Sequence, residues 1–235
     1  RMGCAFCAST LGGVKGNLSP AEILDQVIAI QNDVNERINN VVVMGIGEPF
    51  DNYDNLSRFL ELIHAKEGMN MGYRSITVST CGIIPKIAAF GRDFPQVNLA
   101  VSLHAPNDEI RNKIMPINRK YPVDELLTAC RAHTKVTGRR VTFEYALIKD
   151  INDKQVHAEE LAKKLRHTLC HVNLISLNSV NERDYEPTAG HVMKSFAKTL
   201  EDKGIQVTIR RDLGTDIEGA CGQLRLKSLE NNVNY

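Results

Sequence analysis

Two thiols three residues apart, Cys4 and Cys7, open the 235-residue chain in the run Cys-Ala-Phe-Cys. Thiolates at that spacing can face one metal centre, so the pair reads as half of a zinc site, a redox couple or part of an iron–sulfur site. A zinc site calls for a second such pair, and no other C-x-x-C occurs. A thioredoxin-type couple calls for its first cysteine at a helix start, whereas a loop of about twelve residues follows Cys7. An incomplete cluster motif fits better. Near the other end, Cys221 stands in Glu218-Gly219-Ala220-Cys221-Gly222-Gln223. Small neighbours let a reactant approach this thiol closely, which makes it a candidate nucleophile; a packed loop cysteine is the plain alternative.

Between these cysteines, polar or glycine-rich residues recur where apolar runs end. Gly45-Ile46-Gly47-Glu48-Pro49 follows a run of three valines. Glycines there admit a ligand to the backbone, and Glu48 can accept hydrogen bonds from an amino group or simply cap a helix. Ser79 in Ser-Thr-Cys-Gly closes the next run, Ser102-Leu103-His104 the one after, and Asn178 the one that follows Leu174-Ile175. One such residue is more often structural than not. Four polar strand ends on one rim describe a pocket for a ligand with amino, carboxylate and ribose groups.

What would bring them to one rim is the alternation of the elements between them. Ser19-Pro20-Ala21-Glu22 is a capping box with proline at the first helical position, predicting a helix to about Ile30. Strands are expected at 40–44 (buried), 74–79, 96–103, 141–148, 171–177 and 205–210. Helices are expected at 55–64, 85–90, 124–135, 154–165 and 191–203. Such alternation implies parallel strands with right-handed helical crossovers. Chemistry then collects on the loops leaving the C-terminal strand ends.

Composition is that of a globular chain, 43% hydrophobic and 24% charged, with a net charge of +1 that argues neither for nor against RNA. No apolar run approaches the roughly 18–20 residues of a membrane span, and Arg-Met-Gly-Cys has no signal-peptide layout. The six cysteines lack the spacing of a disulfide scaffold, so a reducing, cytoplasmic setting is the default. Cys130 and Cys170 read as small buried core residues in helical segments.

With these residues on the page, the chain resembles the RlmN/Cfr family of radical S-adenosylmethionine (SAM) RNA methyltransferases. The resemblance rests on FCASTLGG (6–13), MGIGEPFDN (44–52), ITVSTCGIIP (76–85), SLHAPN (102–107), MPINR (115–119), GRRVTFEY (138–145), HVNLI (171–175) and GACGQL (219–224). It implies a partial parallel (β/α)6-type TIM-like barrel with its first strand missing. Residues 1–227 would form one catalytic core without the N-terminal accessory domain, and 228–235 a tail, whose last five residues, 231–235, read as disordered from their own composition. In the family motif C-x-x-x-C-x-x-C, Cys4 and Cys7 match the second and third cysteines of a [4Fe–4S] cluster; the first would precede Arg1. The chain as given is therefore expected not to hold a stable three-thiolate cluster. The family's SAM contacts match Gly47, Glu48, Ser79, Ser102, Leu103, His104 and Asn178.

The resemblance further implies that Cys221 takes a methyl from one SAM. A second SAM, cleaved reductively, then yields a 5′-deoxyadenosyl radical that removes hydrogen from that methyl, and the carbon radical adds to adenine C2. The implied substrates are an adenosine in the peptidyl transferase centre of 23S rRNA and adenosine 37 of certain tRNAs, served by an electron donor such as flavodoxin. A monomer is expected, with no membrane partner. Arg139, Arg140, Arg210 and Arg211 are candidates for phosphate contacts or for ordinary salt-bridged surface. The C8-methylating branch shares all these residues, although the wording of GIGEPFDN and HVNLI favours C2. A non-catalytic fragment that binds RNA or SAM is a reading from another class. The sequence departs from the family wording at Gly16 (for a basic residue), Cys81 (for serine) and Ser176 (for proline).

Overall fold

The computed structural model describes residues 2–10, 13–177 and 185–210. Six strands, β1 (Val41–Val43), β2 (Ile76–Thr80), β3 (Asn98–Ser102), β4 (Val141–Leu147), β5 (Cys170–Ser176) and β6 (Gln206–Ile209), form one parallel sheet in sequence order. The helices are α1 (Pro20–Val34), α2 (Tyr53–His64), α3 (Ile84–Asp93), α4 (Asp108–Ile114), α5 (Val123–Thr137), α6 (Gln155–Leu165) and α7 (Gly190–Asp202). No strand precedes α1 among the described residues, and β1 and β6 do not pair, so the sheet is open. It nevertheless curls: Nη1 of Arg210, just past β6, comes within 3.9 Å of Sδ of Met44, just past β1. This is the incomplete α/β barrel expected.

The strand period of two sorts the residues onto two faces. Ile76, Val78, Leu99, Val101, Val141, Phe143, Tyr145, Val172 and Leu174 are buried with helix residues such as Leu56, Phe90, Leu126, Leu161 and Phe196 in one large core. The alternate positions are more polar: Thr77 and Ser79 lie there in β2, and further along the registers set Ser102 beside Glu144, Glu144 beside Asn173, and Asn173 beside Thr208. The concave face thus carries a polar stripe, in which Asn173 Nδ2 donates to Glu144 Oε2 at 2.9 Å. Burial of Glu144 raises its carboxyl above the usual range, opposed by the Asn173 bond and the Arg210 charge.

The capping box at α1 forms as expected: Glu22 N donates to Ser19 Oγ at 3.3 Å and Ser19 N to Glu22 Oε2 at 2.7 Å. The helix continues past Ile30 to Val34 and ends on Asn35, whose φ of 50° lies in the left-handed region.

Three expectations need correction. The valine strand is not buried: among the described residues β1 is an edge with β2 as its one partner, and Val42 is 57% exposed. Cys170 is buried as expected but opens β5 rather than sitting in a helix, because His171–Ser176 continue its ladder against β4. Two short helical segments, α4 and a 3-10 turn at Pro116–Arg119, lie between β3 and α5. They were not expected, because seven residues make barely two turns and show little periodicity. Their start is signed chemically instead, by Asn107, whose Oδ1 accepts from Ile110 N at 3.0 Å.

Candidate active site

The C-terminal ends of β1, β2 and β3 carry three of the expected polar signatures, and hydrogen bonds tie those ends together. Glu48 follows β1 and caps the 3-10 helix Pro49–Asn52, its Oε1 accepting from Phe50 N at 3.0 Å. The same oxygen accepts from Thr80 Oγ1 at 2.7 Å, and Oε2 accepts from Cys81 N at 2.7 Å. Capping does not exhaust this carboxylate: it caps its own helix, clamps the end of β2, and keeps one lone pair on Oε2 for a further donor. Gly47, exposed beside it, has φ of 88°, a conformation that side chains other than glycine rarely adopt.

Ser79 is buried in β2, and Thr80 Oγ1 turns the chain by accepting from Gly82 N at 3.1 Å. Gly82 has φ of 102°, and a Cβ there would lie 2.8 Å from Leu126 Cδ1. Ser102 ends β3 half-buried, and Leu103 is fully buried beneath it. The amides of Leu103 and His104 both donate to Glu144 O, at 3.0 and 3.3 Å. His104 is buried with φ of 55°, the one strained residue other than glycine among the described site positions. Its Nδ1 accepts from Ala146 N at 2.9 Å, and its carbonyl accepts from Asn152 Nδ2 at 2.7 Å. Desolvation, reinforced by the Arg111 charge, lowers its pKa to about 3, so the imidazole is neutral and Nε2 carries the proton.

The cysteine segment packs onto these ends. Cys7 N donates to Cys4 O at 3.2 Å, closing the turn, and Thr10 Oγ1 donates to Cys7 O at 2.8 Å. Ala5 N donates to Ile114 O at 2.8 Å, hanging the turn on α4, while Phe6 lies edge-on to His104. Met2, Cys4 and Phe6 pack against a small apolar cluster of Cys81, Ala105, Ile110, Ile114, Met115, Ile148 and Leu177. Both motif cysteines are free thiols and half-buried. Burial, then the neighbouring Cys7, raises the Cys4 thiol to about 11. Two half-buried thiols on one turn, fixed by the bonds of Ala5 N and Thr10 Oγ1, suit two corners of a cluster. Among the described residues no group of three or more cysteine, histidine or acidic side chains is placed to hold a metal alone.

Cys4, Cys7, Gly47, Glu48, Ser79, Ser102, Leu103 and His104 therefore share one end of the sheet. Asn178 and Cys221 lie outside the described residues, as do Arg211 and 228–235. Arg139 and Arg140 precede β4, at the opposite end of the sheet from the site. Arg139 bonds to Asn98 Oδ1, and Arg140 Nη1 donates to Gln206 Oε1 at 3.2 Å. One residue at the site escaped sequence reasoning altogether: Arg111 of α4, which donates to the carbonyls of Cys81, Ser102 and Leu103. Arginine in a short amphipathic helix reads as solvent-facing, and nothing local signals otherwise. Among the described residues no helix is long and apolar enough to cross a membrane.

Residues 1–162 match the family model of the radical SAM superfamily. The chain is 53% identical over 232 residues to the "Probable dual-specificity RNA methyltransferase RlmN" of Clostridium tetani, covering 99% of this chain and 66% of that protein. The Clostridium novyi protein of the same name is 52% identical and 68% covered. The crystal structure of a radical SAM methyltransferase from Sphaerobacter thermophilus superposes with a TM-score of 0.91 at 46% identity, covering 94% of this chain and 66% of that one. The chain thus spans about two thirds of the length of the relatives it matches.

Proposed function

This chain belongs to the radical SAM superfamily and, within it, to the RlmN family, and on that footing we propose that it is the catalytic core of an enzyme methylating adenine C2 in RNA. The observation that carries the reading is convergence. Glu48, Ser79, Ser102 and His104 leave successive strands of one sheet, and the Cys4–Cys7 turn is pinned beside them through Phe6.

In this reading Gly47 and Glu48 meet the amino end of SAM, while Ser79, Ser102, Leu103, His104 and Asn178 hold its adenosine. Neutral His104 offers one Nε2–H, a directional donor that does not repel the sulfonium. Cys4 and Cys7 give two of the three thiolates of a [4Fe–4S] cluster, which when bound supplies the electron that cleaves SAM reductively. Cys221 attacks the SAM methyl carbon as thiolate, forming its S–CH3 bond as the methyl leaves S-adenosylhomocysteine. Carrying the methyl on protein answers a chemical difficulty, since adenine C2 is too poor a nucleophile for direct displacement. The adenine leaves its stack to reach the site.

We read residues 1–227 as a single catalytic unit. The substrates we propose are an adenosine in the peptidyl transferase centre of 23S rRNA and adenosine 37 of certain tRNAs, with a flavodoxin-type donor. The setting is the cytoplasm and the working form a monomer. The test is Cys221→Ala in the natural full-length protein, with methyladenosine in digested RNA measured by mass spectrometry. Loss of the C2 product is expected. Methylation surviving the change removes the cysteine route, and a C8 product from the parent removes the C2 assignment.

A further inference from the structure

Arg111 is 0% exposed, yet among the described residues it enters no ion pair. Its hydrogen bonds all go to neutral oxygens. Nε donates to Leu103 O at 3.0 Å, and Nη2 to Cys81 O at 2.8 Å and Ser102 O at 3.0 Å. Nη1 donates to Asn118 Oδ1 at 3.0 Å and Tyr121 O at 3.4 Å. Asp108 makes no hydrogen bond to the guanidinium but accepts from the Asn118 amide beside it, and its charge offsets only a smaller part of what burial costs the cation. Burial lowers its pKa to about 10, so it stays a cation at neutral pH.

Removing a cation from water costs on the order of several kcal/mol, and neutral carbonyls return only part of that. Packing alone is served as well by an uncharged side chain of similar length. The retained charge therefore points to an anionic neighbour that is not always present. Several groups feel the Arg111 charge: His104, Asp108 and the Cys4, Cys81 and Cys130 thiols. Of these, Cys4 packs with Cys81 and Ile114 in one apolar cluster and is the one that a metal centre would hold as thiolate. Cys81 is buried and protonated, with its thiol held well above the usual range chiefly by desolvation. Cys4 belongs to the turn that Ile114 O holds against the same helix. One short helix thus carries both the unpaired cation and the cysteine turn.

We propose that Arg111 is a positioning residue for this site: its guanidinium locks the ends of β2 and β3 to α4, and its charge favours the more negative state of an iron–sulfur centre on Cys4 and Cys7. This rests on the reading of those cysteines as cluster ligands. A positive charge in a low-dielectric surround stabilises the reduced cluster more than the oxidised one, and so raises its reduction potential. The carbonyl fork acts separately, by fixing Ser102 and Leu103 where the adenosine is to be held.

The experiment compares full-length parent, Arg111→Lys and Arg111→Gln after anaerobic reconstitution. The cluster midpoint potential is read by redox titration, and SAM affinity by equilibrium dialysis. Arg111→Gln should shift the midpoint to more negative values while Arg111→Lys stays near the parent. Both should bind SAM about tenfold more weakly, because both lose the fork. If Arg111→Gln assembles no cluster and Arg111→Lys does, the charge is again required. A Gln variant with the parent's midpoint, equal shifts in both variants, or loss of the cluster from both overturns the proposal and leaves a purely structural arginine. A parent that takes up no iron and sulfide fails differently: it removes the cluster reading itself, and this inference with it.

Discussion

The Phe6 ring meets the His104 imidazole edge-on, with centroids 5.0 Å apart and planes at 73°. That contact joins the cysteine turn to the end of β3 across nearly a hundred residues of sequence. It also covers a histidine whose Nδ1 accepts from Ala146 N. An aromatic T-shaped pair is worth about 0.5–1.5 kcal/mol beyond area burial, enough to bias a short loop but not to fold one.

The titration of His104 gives a pH prediction. Its pKa falls from 6.5 in the open chain to about 3 in the folded one, through desolvation first and the Arg111 charge second. Between those values the unfolded chain binds a proton that the native chain does not. The His104 contribution is therefore whole above pH 6.5 and is lost as pH falls toward 3. In His104→Asn the slope of unfolding free energy against pH from 6.5 to 4 should be shallower than in the parent, by up to about 1.4 kcal/mol per pH unit. Equal slopes would mean that the ring is not held neutral.

Glu48→Gln tests the clamp between the ends of β1 and β2. The amide has one oxygen where the carboxylate uses two to accept from Phe50 N, Thr80 Oγ1 and Cys81 N, so at least one of these donors goes unmet. A loss of about 2 kcal/mol is expected, read as a lower urea midpoint at unchanged slope. SAM affinity should drop with it.

Gly82→Ala should destabilise more than Gly138→Ala, although both residues have positive φ. A Cβ at 82 meets Leu126 at 2.8 Å, whereas at 138 nothing lies within 4 Å. The added overpacking at 82 amounts to about 1–3 kcal/mol, and thermal unfolding of the two variants compares them directly. The same melting temperature for both would show that Leu126 moves aside freely.

Thiol mapping should separate the cysteines by environment. Cys81 and Cys130 are buried, and desolvation is the largest cause raising both thiols. At pH 8 the metal-free protein should be alkylated at half-exposed Cys7 well before either. Early labelling of Cys81, seen by peptide mass spectrometry, would contradict the close packing at the end of β2.

Much of the architecture was legible in sequence because it is written locally. Period-two runs such as Val141–Leu147 and period-3.6 runs such as Tyr53–His64 each declare one element. The capping box at Ser19 marks a helix start to the residue. Where pairing and neighbours decide, local reading fell short. It took the three valines of β1 as buried and Cys170 as helical, and it passed over α4, whose length hides its period.

Residue types and spacings alone determined that this chain alternates strand and helix and that Glu48, Ser79, Ser102 and His104 stand at strand ends, since those depend on local periodicity. Tertiary structure alone decided how those ends are held. Glu48 spans to Cys81, and Arg111 gathers carbonyls from two strands. Neither relation has a sequence signature, because a side chain's partner across thirty residues is set by how the sheet curls and where a helix lands, not by its neighbours in the chain.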